Sequence, residues 1–172
     1  MTALVFVDAD VLVYARDGRD ARKQARAAQW LTGLWRERTG RTSMQVLSEY
    51  YATVTRKLAP AVPAHKAWDD VRELLSWQPH PVDAELLVRA REAEARWRLS
   101  WWDSLIVAAA QLQNCTVLLT EDLQDGMAFG TVRVRSPFTL AAGEPEADYA
   151  VQDVPVLLHR PRGRPRRVSA RA

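Results

Sequence analysis

Two kinds of hydrophobic pattern alternate along the chain. "ALVFV" at residues 3–7 and "TVLLT" at 116–120 are short continuous apolar runs, and "VRVR" follows at 132–135. Such runs predict strands, the first two buried on both faces. Between them apolar residues recur every three or four positions. Ala25, Ala28, Leu31, Leu34 and Trp35 predict the inner face of a helix over 21–38. "TGRTS" interrupts it and leaves room for a short strand. Ser43 is placed to cap a helix running through Leu58, with Val46, Leu47, Tyr50, Val54 and Leu58 inside. Pro60 and Pro63 bracket a loop, Trp68, Val71, Leu74 and Leu75 mark a further helix, and "QPHP" ends it. Leu86, Leu87, Ala90, Ala93 and Trp97 predict a helix over 83–98, and another spans 100–113. Strands alternating with helices predict a three-layer α/β/α sandwich around a mostly parallel sheet.

In such a sheet, sites form at the carboxyl ends of strands. Asp8 ends the first strand there, with Asp10 two residues on, and Asp122 follows "TVLLT". Asp103 lies in the first turn of "WWDSLIVAAAQ", and Glu49 lies on "MQVLSEYYATVTRKL". Each acid adjoins a strongly apolar segment, and each also has an ordinary structural reading. Asp8 could form a turn at the strand end. Ser100 and Asp103 have the spacing of a capping box. Glu49 could face solvent, and Asp122 and Asp125 could shape the "EDLQDG" turn. Thr120 and Ser104 carry hydroxyls that could orient a carboxylate or merely cap a strand end and a helix start.

The segments "FVDADVLVYARD", "SMQVLSEYYATVTRKL", "LSWWDSLIVAAAQLQNC" and "VLLTEDLQDG" together resemble the four signature segments of PIN-domain nucleases, above all the VapC-like toxins of type II toxin–antitoxin pairs. They come in that family's order and cover about residues 3–140. The resemblance implies that Asp8, Glu49, Asp103 and Asp122 form an acidic quartet. It assigns Asp8, Asp103 and Asp122 to a metal ion and implies RNA hydrolysis to a 5′-phosphate and a 3′-hydroxyl. Many members carry Asn where this chain has Asp10, so the site here is more negative. Of that pair Asp8 is the expected ligand, because it directly ends the strand.

The chemistry is consistent with this. Two carboxylates about 4 Å apart repel by roughly 4 kcal/mol at an effective dielectric near 20, so converging acids call for a cation. Oxygen ligands select Mg²⁺, with Mn²⁺ as substitute, and the three scattered histidines (His65, His80, His159) give no zinc site. Such an ion can activate a water and offset charge on the leaving oxygen. Trp101 or Trp102, if exposed, could stack an unpaired base. The resemblance further implies a homodimer and a small DNA-binding antitoxin partner, with Tyr50, Tyr51, Trp68 and Trp77 as candidate apolar surface.

Composition adds one qualification. The formal net charge is +3, yet all 21 acidic residues precede Pro155 and six Arg follow it. The expected organisation is therefore a nuclease domain at 1–142 and an acidic, then Arg-rich, disordered extension at 143–172. Arg160, Arg162, Arg164, Arg166 and Arg167, together with Arg171, are candidate phosphate contacts. The single cysteine, Cys115, fits a reducing cytoplasm, and the longest small-apolar stretch, "LIVAAA", is too short for a membrane span.

Two other readings compete. One is a non-catalytic RNA-binding module of the same fold. The other is a haloacid-dehalogenase-like phosphatase, whose first motif "DADVLV" resembles. Leu12 replaces the expected Thr or Val there, and none of the three lysines follows the central strands.

Overall fold

The three side chains of strand β1 (Val5–Val7) are buried. A computed structural model describes residues 3–139. The later elements are α1 (Ala9–Tyr14), α2 (Ala21–Glu37), β2 (Gly40–Arg41), α3 (Met44–Arg56), α4 (Ala64–Leu74), a 3₁₀ turn at Leu75–Trp77, α5 (Ala84–Trp97), α6 (Trp101–Leu112), β3 (Val117–Leu119), β4 (Ala128–Phe129) and β5 (Val132–Arg135). The extension expected at 143–172, with its arginines, lies outside the described residues.

The five-stranded sheet has the order β2-β1-β3-β5-β4. All its pairings are parallel except β4 with β5, a hairpin at one edge. The central pair sets Val5, Phe6 and Val7 opposite Val117, Leu118 and Leu119. The chain leaves β1 toward β2 on one side and returns to β3 on the other. The crevice between the carboxyl ends of β1 and β3 is thus the topological switch point, where open α/β sheets place their sites. Helices α1 to α4 pack among themselves, α5 packs along α6, and α6 lies against β3 and β5, giving the α/β/α sandwich.

Local signals set most helix starts. Ser43 and Asp83 accept hydrogen bonds from the main-chain N–H three residues on, at 3.3 and 2.9 Å, and Asp20 accepts from Arg22 and Lys23. Each satisfies donors that the first turn leaves open.

The structure departs from the hydrophobic pattern in several places. Helix α1 begins directly after β1, and β4 adds an edge strand; neither was expected. On α2 the buried stripe is Ala27, Trp30 and Leu34, while Ala25, Ala28 and Trp35 are exposed. Trp30 turns inward because its indole N–H finds the Pro137 carbonyl at 3.1 Å, which satisfies the one polar group such a ring must bury. Trp68, Leu75 and Leu87 are exposed, since Ala67, Val71, Leu74 and Leu86 fill the inner stripes. Two of the candidate surface aromatics, Tyr50 and Trp77, are buried. The Trp77 ring lies over Gly40, where a Cβ would come within 2.6 Å of it. The Tyr50 hydroxyl donates to Asp70 Oδ2 at 2.5 Å, and Arg16 pairs with the same carboxylate, tying the segment after α1 to α3 and α4. Burial first, and then the hydrogen bond to Asp70, pushes the Tyr50 phenol above its ordinary range.

Candidate active site

Asp8 is the residue at which β1 becomes α1. Its backbone is extended, its N–H donates to the Leu119 carbonyl at 3.1 Å, and its Oδ1 accepts from Ala9 N–H at 2.7 Å. The side chain is 1 % exposed. A short polar residue suits this position because the strand ladder ends on one side of it and a helix begins on the other. Asp10 follows in the first turn of α1, half-buried, and its Oδ1 accepts from Val11 N–H at 2.6 Å.

The partner strand completes the arrangement. Thr120, fully buried just past β3, places its hydroxyl 2.9 Å from Asp8 Oδ2 and 3.2 Å from Asp10 Oδ2. That hydroxyl accepts from Asp122 N–H at 3.1 Å, while Glu121 N–H donates to Asp10 Oδ2 at 2.6 Å. Thr120 N–H is bonded to the Arg135 carbonyl of β5. Two adjacent parallel strands therefore meet at their carboxyl ends through one hydroxyl and one main-chain amide.

Asp8, Asp10 and Asp122 each offer a carboxylate oxygen within 4.8 Å of the other two. Among the described residues they are the acids that cluster in this way. An octahedral Mg²⁺ with oxygens at about 2.1 Å spaces opposite ligands about 4.2 Å apart, so the span fits such an ion. The donors are all hard oxygens, which fits Mg²⁺ or Mn²⁺ over softer metals. The carboxylate oxygens already engaged keep further lone pairs.

Asp103 and Glu49 stand outside this triad. Asp103 is 1 % exposed in the first turn of α6. Ser100 Oγ accepts from its N–H at 3.1 Å and donates to its Oδ2 at 2.6 Å, so the carboxylate is oriented from within its own helix start. Glu49 lies on the exposed side of α3. Ser104 is buried and donates to the Ser100 carbonyl at 2.8 Å, a local contact. Asp125 accepts from Ser136 N–H at 2.9 Å and from the Thr139 hydroxyl at 3.3 Å, and so fastens the segment after β5. Trp102 is exposed at 44 %, whereas Trp101 packs against the core. The bond from Glu121 to Asp10 was not anticipated. It depends on a main-chain amide, which leaves no mark in residue identity.

Comparison with known proteins agrees with this fold. The family model described as PIN domain matches residues 5–124. No curated protein matches significantly. Among solved structures, a toxin–antitoxin complex from Klebsiella pneumoniae contains a chain of similar fold, with TM-score 0.57 and 18% identity, covering 77% of this chain and 97% of that one. FitAcB from Neisseria gonorrhoeae is similar at TM-score 0.52 and 18% identity, over 80% of this chain and 100% of that one.

Proposed function

The chain belongs to the PIN-domain family, and on that premise we propose that it is a Mg²⁺- or Mn²⁺-dependent endoribonuclease and the toxin of a toxin–antitoxin pair. The observation that carries the reading is the triad Asp8, Asp10 and Asp122, gathered within 4.8 Å at the switch point of the sheet. A divalent ion bound there would supply positive charge to the scissile phosphate and lower the pKa of an attacking water. The chain's own residues hold the ligands. Thr120 orients Asp8 and Asp10, Glu121 N–H fixes Oδ2 of Asp10, and the turn after β3 presents Asp122. Asp103, held by Ser100, and Glu49 are assigned to the same site by their place in the family's signature segments.

The toxin role draws support from the Klebsiella toxin–antitoxin complex, 97% of whose matched chain this fold covers. A small antitoxin protein and a second copy of the chain are the proposed partners. Among the described residues no helix is long and apolar enough to cross a membrane.

The decisive experiment is cleavage of single-stranded RNA by the purified chain with Mg²⁺, with Mn²⁺ and with chelator, beside Asp8→Asn. The reading expects cleavage that needs the ion and is nearly lost in the variant. Cleavage indifferent to both chelator and Asp8→Asn would refute it, and so would its complete absence with ion across varied RNAs.

A further inference from the structure

A cavity of about 670 Å³ opens along the first half of α2 and is lined by Asp20, Arg22, Lys23, Arg26, Gln29 and Phe138, with Ala25. Its charge is predominantly positive. Asp20 caps α2, its Oδ1 accepting from two main-chain N–H groups at 3.1 Å, so that carboxylate is engaged with the helix start. Arg22 and Arg26 stand one helical turn apart, which puts them on one face. Among the described residues neither forms an ion pair; Arg26 only reaches Gln29 Oε1 at 3.4 Å.

Lys23 links this cavity to the acids. Its ammonium lies 4.5 Å from the Tyr14 ring centre and 4.8 Å from that of Phe138. It donates to Glu121 Oε1 at 2.5 Å and to the Tyr14 hydroxyl at 3.2 Å. Burial opposes its charge, but Glu121 and Tyr14 outweigh that and its pKa is raised. The Glu121 main chain in turn bonds Asp10. The path from the basic cavity to the acidic triad is therefore one side-chain ion pair and one amide hydrogen bond long.

We infer that the Arg22–Arg26 face of α2 is the track for the RNA backbone beside the cleavage site, holding phosphates that flank the scissile one. This rests on the nuclease reading above. Acids that gather a cation repel the rest of a polyanionic strand, so an adjoining region must supply the attraction. Two guanidinium groups on one face of α2, which form no ion pair among the described residues and share a cavity with the Lys23 that links to Asp10 through Glu121, do so. Lys23, committed to Glu121, holds the boundary between the two regions and is a positioning residue.

The test is binding of a labelled single-stranded RNA to the full chain, in chelator so that no cleavage occurs, as a function of salt. Each phosphate contact on a single strand contributes about 0.7 to the slope of log K against log salt. Arg22→Gln with Arg26→Gln should weaken binding about tenfold at low salt and lower that slope by about 1.4. With Mg²⁺ present KM should rise while kcat holds. The control removes two charges from Arg89 and Arg96, which line a different cavity beside α5, and should leave affinity nearly unchanged. An unchanged slope in the α2 variant, or an equal loss in the control, overturns the inference. Failure of the nuclease reading appears separately, as a parent protein that binds RNA and never cuts it.

Discussion

Thr120 donates its hydroxyl hydrogen toward Asp8 Oδ2 across 2.9 Å, joining two strands whose ends are 112 residues apart in the chain. Asp10 Oδ2 lies within reach of the same hydrogen. One threonine thereby holds two like-charged groups in register.

Thr120→Val keeps the side-chain shape and deletes that donor. A hydrogen bond to a charged group contributes about 1.5–3 kcal/mol. The variant should lose about that much stability in metal-free urea unfolding. Its Mn²⁺ affinity, read from the metal-induced rise in Tm, should fall about 10- to 100-fold. Thr120→Ser should restore most of both, and a silent Thr120→Val would mean the hydroxyl does not organise the acids.

Asp8→Asn tests the repulsion itself. Asn caps a helix as well as Asp does, so the chief change is one charge fewer among three. The metal-free variant should be more stable than the metal-free parent by about 1 kcal/mol after screening. The parent should gain roughly 2.7 kcal/mol from an ion at a hundred times its Kd, and the variant much less. Thermal unfolding of both proteins, with and without ion, decides it. An Asp8→Asn protein that is less stable without metal and responds normally to it would make Asp8 a structural turn residue.

Ser100 and Asp103 separate folding from chemistry. Ser100→Ala removes both hydrogen bonds at the start of α6 and should cost about 1 kcal/mol. Asp103→Asn keeps an acceptor for the Ser100 hydroxyl and should unfold near the parent temperature, yet lose most RNA cleavage. Paired Tm and cleavage rates check this. Equal cleavage by Asp103→Asn and parent would leave Asp103 only a capping role.

Cys115 is fully buried, and burial pushes its thiol up to about 12. At pH 8 almost none of it is thiolate, and only the thiolate alkylates readily. Iodoacetamide should therefore leave the native protein unmodified and label one site after denaturation, as read by mass spectrometry. Rapid native labelling would contradict this burial.

The Asp17–Arg19 pair is a source of acid sensitivity. The Arg19 guanidinium, then the Arg19 main-chain N–H, lowers the Asp17 carboxyl from 3.8 to about 2. Because the folded value lies below the unfolded one, this contribution is complete above pH 4 and is lost as pH falls toward 2. Arg19→Gln should flatten that part of the Tm-against-pH curve and leave Tm changes above pH 5 parallel to the parent. An unchanged profile would show that the pair adds nothing in solution.

How much was legible in the sequence depended on the range of the interaction. Strands β1, β3 and β5 declared themselves as apolar or alternating runs, and the Ser43 cap and the Ser100–Asp103 pair operate within three residues, so the types alone specify them. Asp8 and Asp122 could be placed at strand ends because the strands were visible. Helix rotation was not legible on α2. Its competing stripes were both apolar, and the Pro137 carbonyl, 107 residues from Trp30, chose between them. Nor was the membership of the triad. Asp10 joins Asp8 and Asp122 because the β1–β3 register brings Thr120 and the Glu121 amide beside it. A continuous apolar run states that a strand is buried, whereas its neighbour and register follow only when several such runs pack into one sheet and every backbone amide must find a partner.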